Sequence, residues 1–219
     1  MNSQTEENYL KTLYHIEAKN EEVTITDLSR RLKVSMPSVN SMVKRLHLKK
    51  LLVYRKYRPL VLTESGRKAA LAIIRKHRLV EMFLVEKMGF GWEEVHEIAE
   101  QMEHIQSPLF FDRIDKLLGY PEADPHGSPI PNKFGEMRET SHRTLDTFSA
   151  GDKVRLVAIA NSSREFLDYL NSKKISLQTT LQIERIEAFD KSMEVCYVEE
   201  GRRDMISQQV AQGLYAEKI

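Results

Sequence analysis

Four side chains that could bind a metal ion lie close together in the sequence at helical spacing: His96, Glu100, Glu103 and His104. Residues three or four positions apart share one face of a helix. A helix here would therefore present imidazole nitrogens and carboxylate oxygens side by side. These two donor types together suit a divalent transition metal ion.

A second pair of the same residue types, His77 and Glu81, lies one helical turn apart in the preceding segment. Two such helices packed against each other could enclose a divalent cation. Catalysis is the competing interpretation, because the sequence HEIAE from His96 to Glu100 differs by one residue from the HExxH pattern of zinc hydrolases. Glu100 stands where that pattern needs its second histidine, and the sequence offers no nucleophile or phosphate-binding loop. We therefore predict that the chain is not an enzyme.

The composition is that of an ordinary globular protein with more than one domain. The chain has 219 residues, of which 41% are hydrophobic and 30% charged, and it contains no run of about 18 apolar residues that would span a membrane. Its first residues are polar and acidic, which does not fit a signal peptide. The single cysteine, Cys196, excludes an intramolecular disulfide and fits a reducing compartment. We expect a cytoplasmic protein without membrane association.

The net charge of +1 is the sum of three unequal segments. Residues 1–78 contain 17 Lys and Arg against 7 Asp and Glu, whereas residues 79–149 contain 6 against 14 and residues 150–219 contain 10 against 11. A basic first third predicts contact with a polyanion, and an acidic middle third predicts cation binding.

The basic first third contains the pattern of a helix-turn-helix. An amphipathic helix is predicted over residues 5–18, and a shorter one over 27–32. A three-residue turn, 33–35, leads into a helix over 36–48, with Ser35 as its N-cap. A short helix, a tight turn and a second helix form the order found in DNA-binding helix-turn-helix proteins.

Two β-rich runs follow, over 51–54 and 60–62, and they flank a basic tip from Arg55 to Arg58. This pattern predicts a hairpin, after which a long helix extends from about Thr63 to Met88. A helix-turn-helix, a basic hairpin and a long helix together make a winged helix. In that arrangement the second helix enters the major groove and the wing contacts phosphates.

The remaining chain divides into a helical region and a β-rich region. Residues 67–118 are predicted to be helical and carry more apolar residues than three short helices would bury, which favours pairing with a second copy. A Pro- and Gly-rich stretch over 119–147 predicts a loop and a linker. The predicted C-terminal strands are Lys153–Ile159, Thr180–Glu187, Met193–Val198 and Gly213–Lys218, with a helix near Ser163–Asn171. The predicted domains are 1–75, 76–140 and 151–219, with a linker over 141–150.

Together these segments resemble the family of metal-dependent regulators that includes the diphtheria toxin repressor, the iron-dependent regulators and the manganese transport regulators. The resemblance extends along the whole chain. It is carried by NYLKTLY from Asn8, SMPSV from Ser35, LTESGR from Leu62, RKHRLVE from Arg75, VHEIAEQMEH from Val95 and HGSPIP from His126. The metal-site segment and the order of the pieces are specific, whereas the helix-turn-helix alone is not.

The resemblance implies a mainly α chain with a β-rich C-terminal domain. Its parts would be a winged helix-turn-helix, a helical metal-binding and dimerisation domain, and an SH3-like small β-barrel. Members of the family are cytoplasmic homodimers that bind palindromic operators in double-stranded DNA when Fe(II) or Mn(II) is abundant. The implied function is a repressor of metal uptake and homeostasis genes, with Zn(II) or Co(II) able to substitute in vitro. A winged-helix regulator whose metal is structural rather than a signal is the alternative.

The resemblance also assigns a regulatory metal site. Glu100, Glu103 and His104 fall on its middle-domain positions, and Asn8 falls on its position in the first helix. The next first-helix carboxylate of manganese-type members falls on Lys11, which cannot bind a metal ion while it is protonated. Glu100 replaces the cysteine that iron-type members often use, which favours Mn(II).

Two further ligand sets remain open at this point. The set that matches the ancillary site of iron-type members is His77, Glu81 and His96. To that site the C-terminal domain would contribute Glu165. Some manganese-type relatives instead combine Glu81 with a loop, which in this sequence carries Asp124 and His126. The choice between these sets, like that between Fe(II) and Mn(II), stays open.

By the same resemblance, the second helix of the helix-turn-helix reads the DNA. The residues expected to face base edges are Ser35, Pro37, Ser38 and Ser41. The residues expected to contact phosphates are Arg30, Lys44, Arg45, Arg55, Lys56 and Arg58. Metal binding is expected to select the arrangement in which two recognition helices match successive major grooves.

Overall fold

The computed structural model describes residues 2–19 and 21–219. The chain forms two compact units, each assembled from three segments. The first unit consists of Met1–Val80, Ile98–Glu122 and Ile130–Arg138, and the second consists of Glu81–Glu97, Ala123–Pro129 and Glu139–Ile219. The domain boundaries drawn from the sequence stay predictions.

The first unit begins with helix α1, Gln4–Glu17. Its start is defined by a capping box, in which the Ser3 hydroxyl accepts from the Glu6 N–H and the Glu6 carboxylate accepts from the Ser3 N–H. Leu10 and Leu13, which are fully buried, anchor the helix in the core. The helix predicted over residues 5–18 is therefore confirmed within one residue at each end.

The helix-turn-helix consists of α2, Ile25–Leu32, and α3, Met36–Leu48. Lys33 ends α2 in the left-handed conformation at φ 54°, and Ser35 caps α3 by accepting from the Ser38 N–H. Pro37 lies in the first turn of α3, where a missing N–H costs little. The predicted turn and second helix are confirmed, and α2 begins two residues earlier than predicted.

The wing is a hairpin of β1, Leu52–Val53, and β2, Val61–Leu62, which pair in antiparallel register. Helices α1 to α3, the wing and the early turns of α4, Glu64–Met88, contribute to one hydrophobic core. The largest fully buried side chains of this core are Leu10, Leu13, Ile16, Leu28, Leu46 and Leu52. The winged helix expected from the sequence is confirmed.

Two more helices follow, α5 over Val95–Met102 and α6 over Pro108–Leu117. The sequence predicted α5 over Trp92–His104, so the observed helix is shorter at both ends. Glu103 and His104 consequently lie in the turn that follows α5, where the Glu103 N–H still donates to the Ala99 carbonyl at 2.8 Å.

The second unit contains a six-stranded antiparallel sheet in the order β3-β8-β4-β5-β6-β7. Its strands are β3 Arg143–Thr144, β4 Lys153–Ile159, β5 Thr180–Ile186, β6 Met193–Tyr197, β7 Arg202–Ile206 and β8 Leu214–Lys218. Helices α7, Arg164–Ser172, and α8, Gln208–Gln212, contribute to the same core. The overall fold class predicted from the sequence is confirmed.

Two strands of this sheet differ from the sequence prediction. Strand β3 lies inside the predicted linker, and Leu145 directly after it is fully buried. Strand β7 was not predicted, because RRDMI begins with three consecutive polar residues and its single buried residue is Ile206. Within the described residues, no helix combines the length and the apolar character needed to cross a membrane.

Candidate metal centres

Two clusters of histidine and carboxylate side chains stand out, each lying within a single unit. The Asp124 cluster, in the second unit, consists of Glu81, Asp124 and His126. The Glu103 cluster, in the first unit, consists of Glu7, Lys11, His77, Glu103 and His104. Both contain predicted ligands, but their geometry and charge differ.

The Asp124 cluster has the geometry of a cation site. One potential ligand atom from each of its three residues lies within 4.8 Å of the other two, and all three side chains are buried. The distance from His126 Nδ1 to Glu81 Oε2 is 3.9 Å, which is too long for a hydrogen bond. Two carboxylates in one buried space repel each other unless a positive charge lies between them.

The His126 ring is oriented by its second nitrogen. Nε2 lies 2.9 Å from the Trp92 carbonyl oxygen, an acceptor, so Nε2 carries the proton. In the neutral imidazole the lone pair that a metal ion requires is then on Nδ1, the nitrogen on the side of Glu81. The Trp92 and His126 rings also stack, with centroids 6.0 Å apart and an interplanar angle of 21°. The imidazole is thus fixed in a ligating tautomer.

The loop that carries Asp124 and His126 is held rigidly by backbone contacts. Asp124 Oδ1 accepts from the N–H groups of His126 and Ser128, both at 2.9 Å. The Ile159 N–H donates to the His126 carbonyl at 2.9 Å. Gly127 has a φ of 83°, and a Cβ there would lie 2.3 Å from the Val157 carbonyl oxygen. Only glycine fits this close approach to β4.

The donor chemistry of the Asp124 cluster fits a divalent transition metal ion. Two carboxylates and one imidazole combine hard oxygen donors with a nitrogen, a set that suits Mn(II) and Fe(II). His96 lies beside it, with Nδ1 at 3.3 Å from Glu81 Oε1 and a side chain that is half exposed. The structure thus brings Glu81, Asp124 and His126 together in this unit, and their role as ligands stays a prediction.

The alternative set of His77, Glu81 and His96 draws on residues of both units, and it stays a prediction. His77 and Glu81 lie one turn apart on α4. In the first unit, His77 Nδ1 is 2.6 Å from Glu103 Oε2, and both side chains are buried. His77 is thus part of the Glu103 cluster.

The centre of the Glu103 cluster is an ion pair between Lys11 and Glu103. The Lys11 ammonium lies 2.7 Å from Glu103 Oε1 and 2.9 Å from Oε2, and the carboxylate is completely buried. Burial raises the pKa of Glu103, but the hydrogen bond from His77 and the charge of Lys11 outweigh it and hold the pKa below its ordinary value. The Glu103 carboxylate is therefore ionised and already neutralised by the protein itself.

The first-helix carboxylate of this cluster is Glu7. Its Oε2 lies 2.6 Å from His104 Nδ1, and its Oε1 accepts from Gln106 Nε2 at 3.1 Å. Asn8, the position assigned from the sequence, is exposed, and its role as a ligand stays a prediction. The signal for Glu7 was present, because it precedes Leu10 and Leu13 at the three-residue spacing of the buried face.

Glu100 and Glu165, the other predicted ligands, are both solvent-accessible. The Glu100 side chain is 53% exposed, and its Oε1 lies 3.5 Å from the Lys11 ammonium. Glu165 is exposed in the first turn of α7. Their roles as ligands stay predictions.

The predicted DNA-contacting residues form an exposed surface on the helix-turn-helix and the wing. Every one of the ten residues is exposed: Arg30, Ser35, Pro37, Ser38, Ser41, Lys44, Arg45, Arg55, Lys56 and Arg58. Behind this surface, the buried Glu6 carboxylate of α1 lies 2.8 Å from Arg45 Nε and 2.7 Å from Lys49 Nζ. Glu6 thus ties α1 to α3.

An exposed winged helix and buried carboxylate–imidazole clusters define a class of protein, the metal-binding winged-helix proteins. Residues 1–60 match the family model described as the N-terminal DNA-binding domain of iron-dependent repressors. Residues 63–132 match the model for the metal-binding and dimerisation domain of the same family. The chain belongs to the iron-dependent repressor family.

Relatives with iron and manganese in their names both resemble the chain. The iron-dependent repressor IdeR of Mycobacterium tuberculosis (strain ATCC 25618 / H37Rv) is 41% identical over 127 residues, which are 58% of this chain and 55% of IdeR. The alignment thus spans about half the length of such curated relatives. A manganese-dependent transcriptional repressor in complex with manganese superposes with a TM-score of 0.87 at 32% identity, covering 97% of this chain and 99% of that chain. The structure of ScaR with bound Cd2+ superposes with a TM-score of 0.78 at 34% identity, covering 98% of this chain and 99% of that chain.

Proposed function

We propose that this protein is a transcriptional repressor whose binding to operator DNA depends on Mn(II) or Fe(II). The observation that carries the proposal is the buried Asp124 cluster, in a chain whose first 60 residues match a DNA-binding domain. In this proposal the protein acts in the cytoplasm as a homodimer on palindromic DNA, and it controls metal uptake and homeostasis genes.

The metal ion would be held by Glu81, Asp124 and His126. In its absence the two carboxylates repel each other, so the ion stabilises the arrangement in which they approach. That differential stability is the free energy available to shift the protein towards its DNA-binding state. The donor set contains no thiolate and only one imidazole, which favours Mn(II) over softer ions.

The winged helix would read the operator. Ser35, the N-cap of α3, and Ser38 and Ser41 on its exposed side would meet base edges. The basic residues of the wing would contact phosphates, since Arg55, Lys56 and Arg58 are all exposed between β1 and β2. Phosphate contacts of this kind release counterions, so the affinity falls as the salt concentration rises.

A metal titration of operator binding tests the proposal. An operator is first selected from random double-stranded DNA in the presence of Mn(II), and its affinity is then measured by fluorescence anisotropy. Mn(II) or anaerobic Fe(II) is expected to strengthen binding by about 5- to 150-fold, the range of typical allosteric couplings. Equal affinity of the metal-free and loaded protein contradicts the proposal and favours a purely structural metal.

The DNA-binding surface is tested separately with Arg58→Ala. Loss of one phosphate contact should weaken binding to every sequence alike and reduce the slope of log affinity against log salt by about 1. Arg138→Ala removes an exposed arginine outside the winged helix and serves as the control. A selective loss of affinity for one operator sequence would instead assign Arg58 to base recognition.

A further inference from the structure

We propose that the Lys11 ammonium takes the place of a metal ion in the Glu103 cluster, so that this cluster holds its carboxylates together without metal. The inference rests on the proposed function and deepens it, because it removes the Glu103 cluster from the candidate metal centres. It rests on the position of the Lys11 nitrogen among oxygens that would otherwise be ligands.

The Lys11 nitrogen occupies the point where ligand oxygens converge. It lies 2.7 Å and 2.9 Å from the two oxygens of Glu103 and 3.5 Å from Glu100 Oε1. An ammonium has three N–H donors and no acceptor, so its donors can be directed at these three oxygens. A metal ion bound to the same oxygens would lie within the same space, and two cations cannot share it.

The residues around Lys11 and Glu103 also pair with one another, so the cluster does not leave its carboxylates open to a metal ion. The second oxygen of Glu103 also lies 2.6 Å from His77 Nδ1. Glu7, four residues before Lys11 on α1, is held by His104 at 2.6 Å and by Gln106 at 3.1 Å. The buried carboxylates of this cluster therefore each have a partner supplied by the chain.

The Lys11 side chain also provides the link that a metal ion would otherwise provide. It extends from α1 to the residues at the end of α5, and only 13% of it is exposed. A bridging metal forms such a link only when the ion is abundant. A tethered ammonium forms it at every metal concentration, because its local concentration is set by the chain.

The test counts bound ions in a background where the Asp124 cluster cannot bind. The Glu81→Gln variant is prepared with Lys11 unchanged and with Lys11→Glu, and the amount of Mn(II) bound per chain is measured by equilibrium dialysis and elemental analysis. No ion is expected while Lys11 is present, and one ion is expected with Lys11→Glu. Lys19→Met, at an exposed lysine just after α1, is the matched control and should bind none.

Two outcomes overturn the inference. One is a bound Mn(II) ion in Glu81→Gln with Lys11 in place, and the other is a folded Lys11→Glu variant that gains no ion. The proposed function is judged independently on the unaltered chain. If that chain binds no ion while Lys11→Glu gains one, the Lys11 inference holds and the metal-dependent function fails.

A measurement on the unaltered protein removes the dependence on folding of the variants. Lysines are acetylated in the metal-free and the Mn(II)-saturated protein, and modification at each position is quantified by mass spectrometry. Lys11 should be protected equally in both states, whereas exposed Lys19 is modified in both. Increased modification of Lys11 on addition of Mn(II) would show that the ion displaces it and would refute the inference.

Discussion

The Glu103 cluster and the Asp124 cluster use the same types of side chain but solve the problem of buried carboxylates differently. In the first, the buried Glu103 faces an ammonium at 2.7 Å from within the chain. In the second, Glu81 and Asp124 share a buried space with His126, whose tautomer directs a lone pair towards Glu81. A carboxylate removed from water needs a positive partner. In the Glu103 cluster the chain itself supplies that partner, whereas the Asp124 cluster brings three potential ligand atoms of a cation within 4.8 Å of one another.

This difference separates two tasks that a single metal site could perform together. A cluster closed by lysine contributes the same stability at every metal concentration, whereas a cluster closed by an ion contributes stability that depends on the concentration of that ion. The first can therefore maintain a structure and the second can report a signal.

The largest expected effect comes from removing the carboxylate at the centre of the Glu103 cluster. Glu103→Ala should lower the free energy of unfolding by about 3 kcal/mol, since it leaves the Lys11 ammonium and His77 without their buried partner. Urea unfolding of the metal-free protein measures this. The Mn(II) affinity of the Asp124 cluster should stay unchanged, and a loss of both properties would contradict the separation of tasks.

The reciprocal change, Asp124→Ala, should remove Mn(II) binding and leave the metal-free protein folded. Removing a direct ligand should weaken Mn(II) binding by more than the ~10- to 100-fold that is typical when a residue supporting a ligand is removed. Isothermal titration calorimetry gives the affinity, and Glu122→Ala, at an exposed neighbouring glutamate, is the control. Unchanged affinity in Asp124→Ala would move the site elsewhere.

A smaller effect is expected from the loop that supports the Asp124 cluster. Gly127→Ala should cost about 1–3 kcal/mol of stability, because φ is positive and the new Cβ would meet the Val157 carbonyl at 2.3 Å. It should also weaken Mn(II) binding by displacing His126. Gly151→Ala separates the two causes, since Gly151 has a φ of 92° but nothing within 4 Å of a Cβ. Equal melting temperatures for both variants would exclude the steric contribution.

The smallest expected effect distinguishes two neighbouring residues of α1. Glu7→Ala should cost about 1.5 kcal/mol, since it removes a charged hydrogen bond to His104. Asn8→Ala, at an exposed position, should change stability by less than about 0.5 kcal/mol. Thermal unfolding of the two variants side by side checks this. The reverse order would restore Asn8 as the structurally important position.

Much of the winged helix was predictable because its signals are local. Ser35 as N-cap, Pro37 in the first turn and the basic tip at Arg55 to Arg58 each mark an element boundary in the sequence. The same holds for β4, Lys153–Ile159, whose buried and accessible residues largely alternate. Signals that lie within a single helix or strand can be read from the sequence without knowing which other segments pack against it.

The parts that were missed depend on packing between distant segments. Residues 7 and 8 are adjacent on α1, and only the position of His104, far along the chain, makes Glu7 the partner. The identity of Lys11 showed that it could not be a ligand, but not that its nitrogen lies among the oxygens of Glu103. Strand β3 has only two residues, and its partner β8 lies at the other end of the C-terminal region, with Arg143 opposite Ala216. A strand this short carries no local sequence signal.

The contact between Trp92 and His126 places an intrinsic fluorophore beside the Asp124 cluster. Trp92 is the single tryptophan, so all indole fluorescence originates beside the Asp124 cluster. Its ring stacks on the imidazole whose opposite nitrogen faces Glu81, so a paramagnetic ion bound there would quench the emission without any attached dye. The intensity at the indole maximum would thus report metal occupancy of the Asp124 cluster in the unmodified protein.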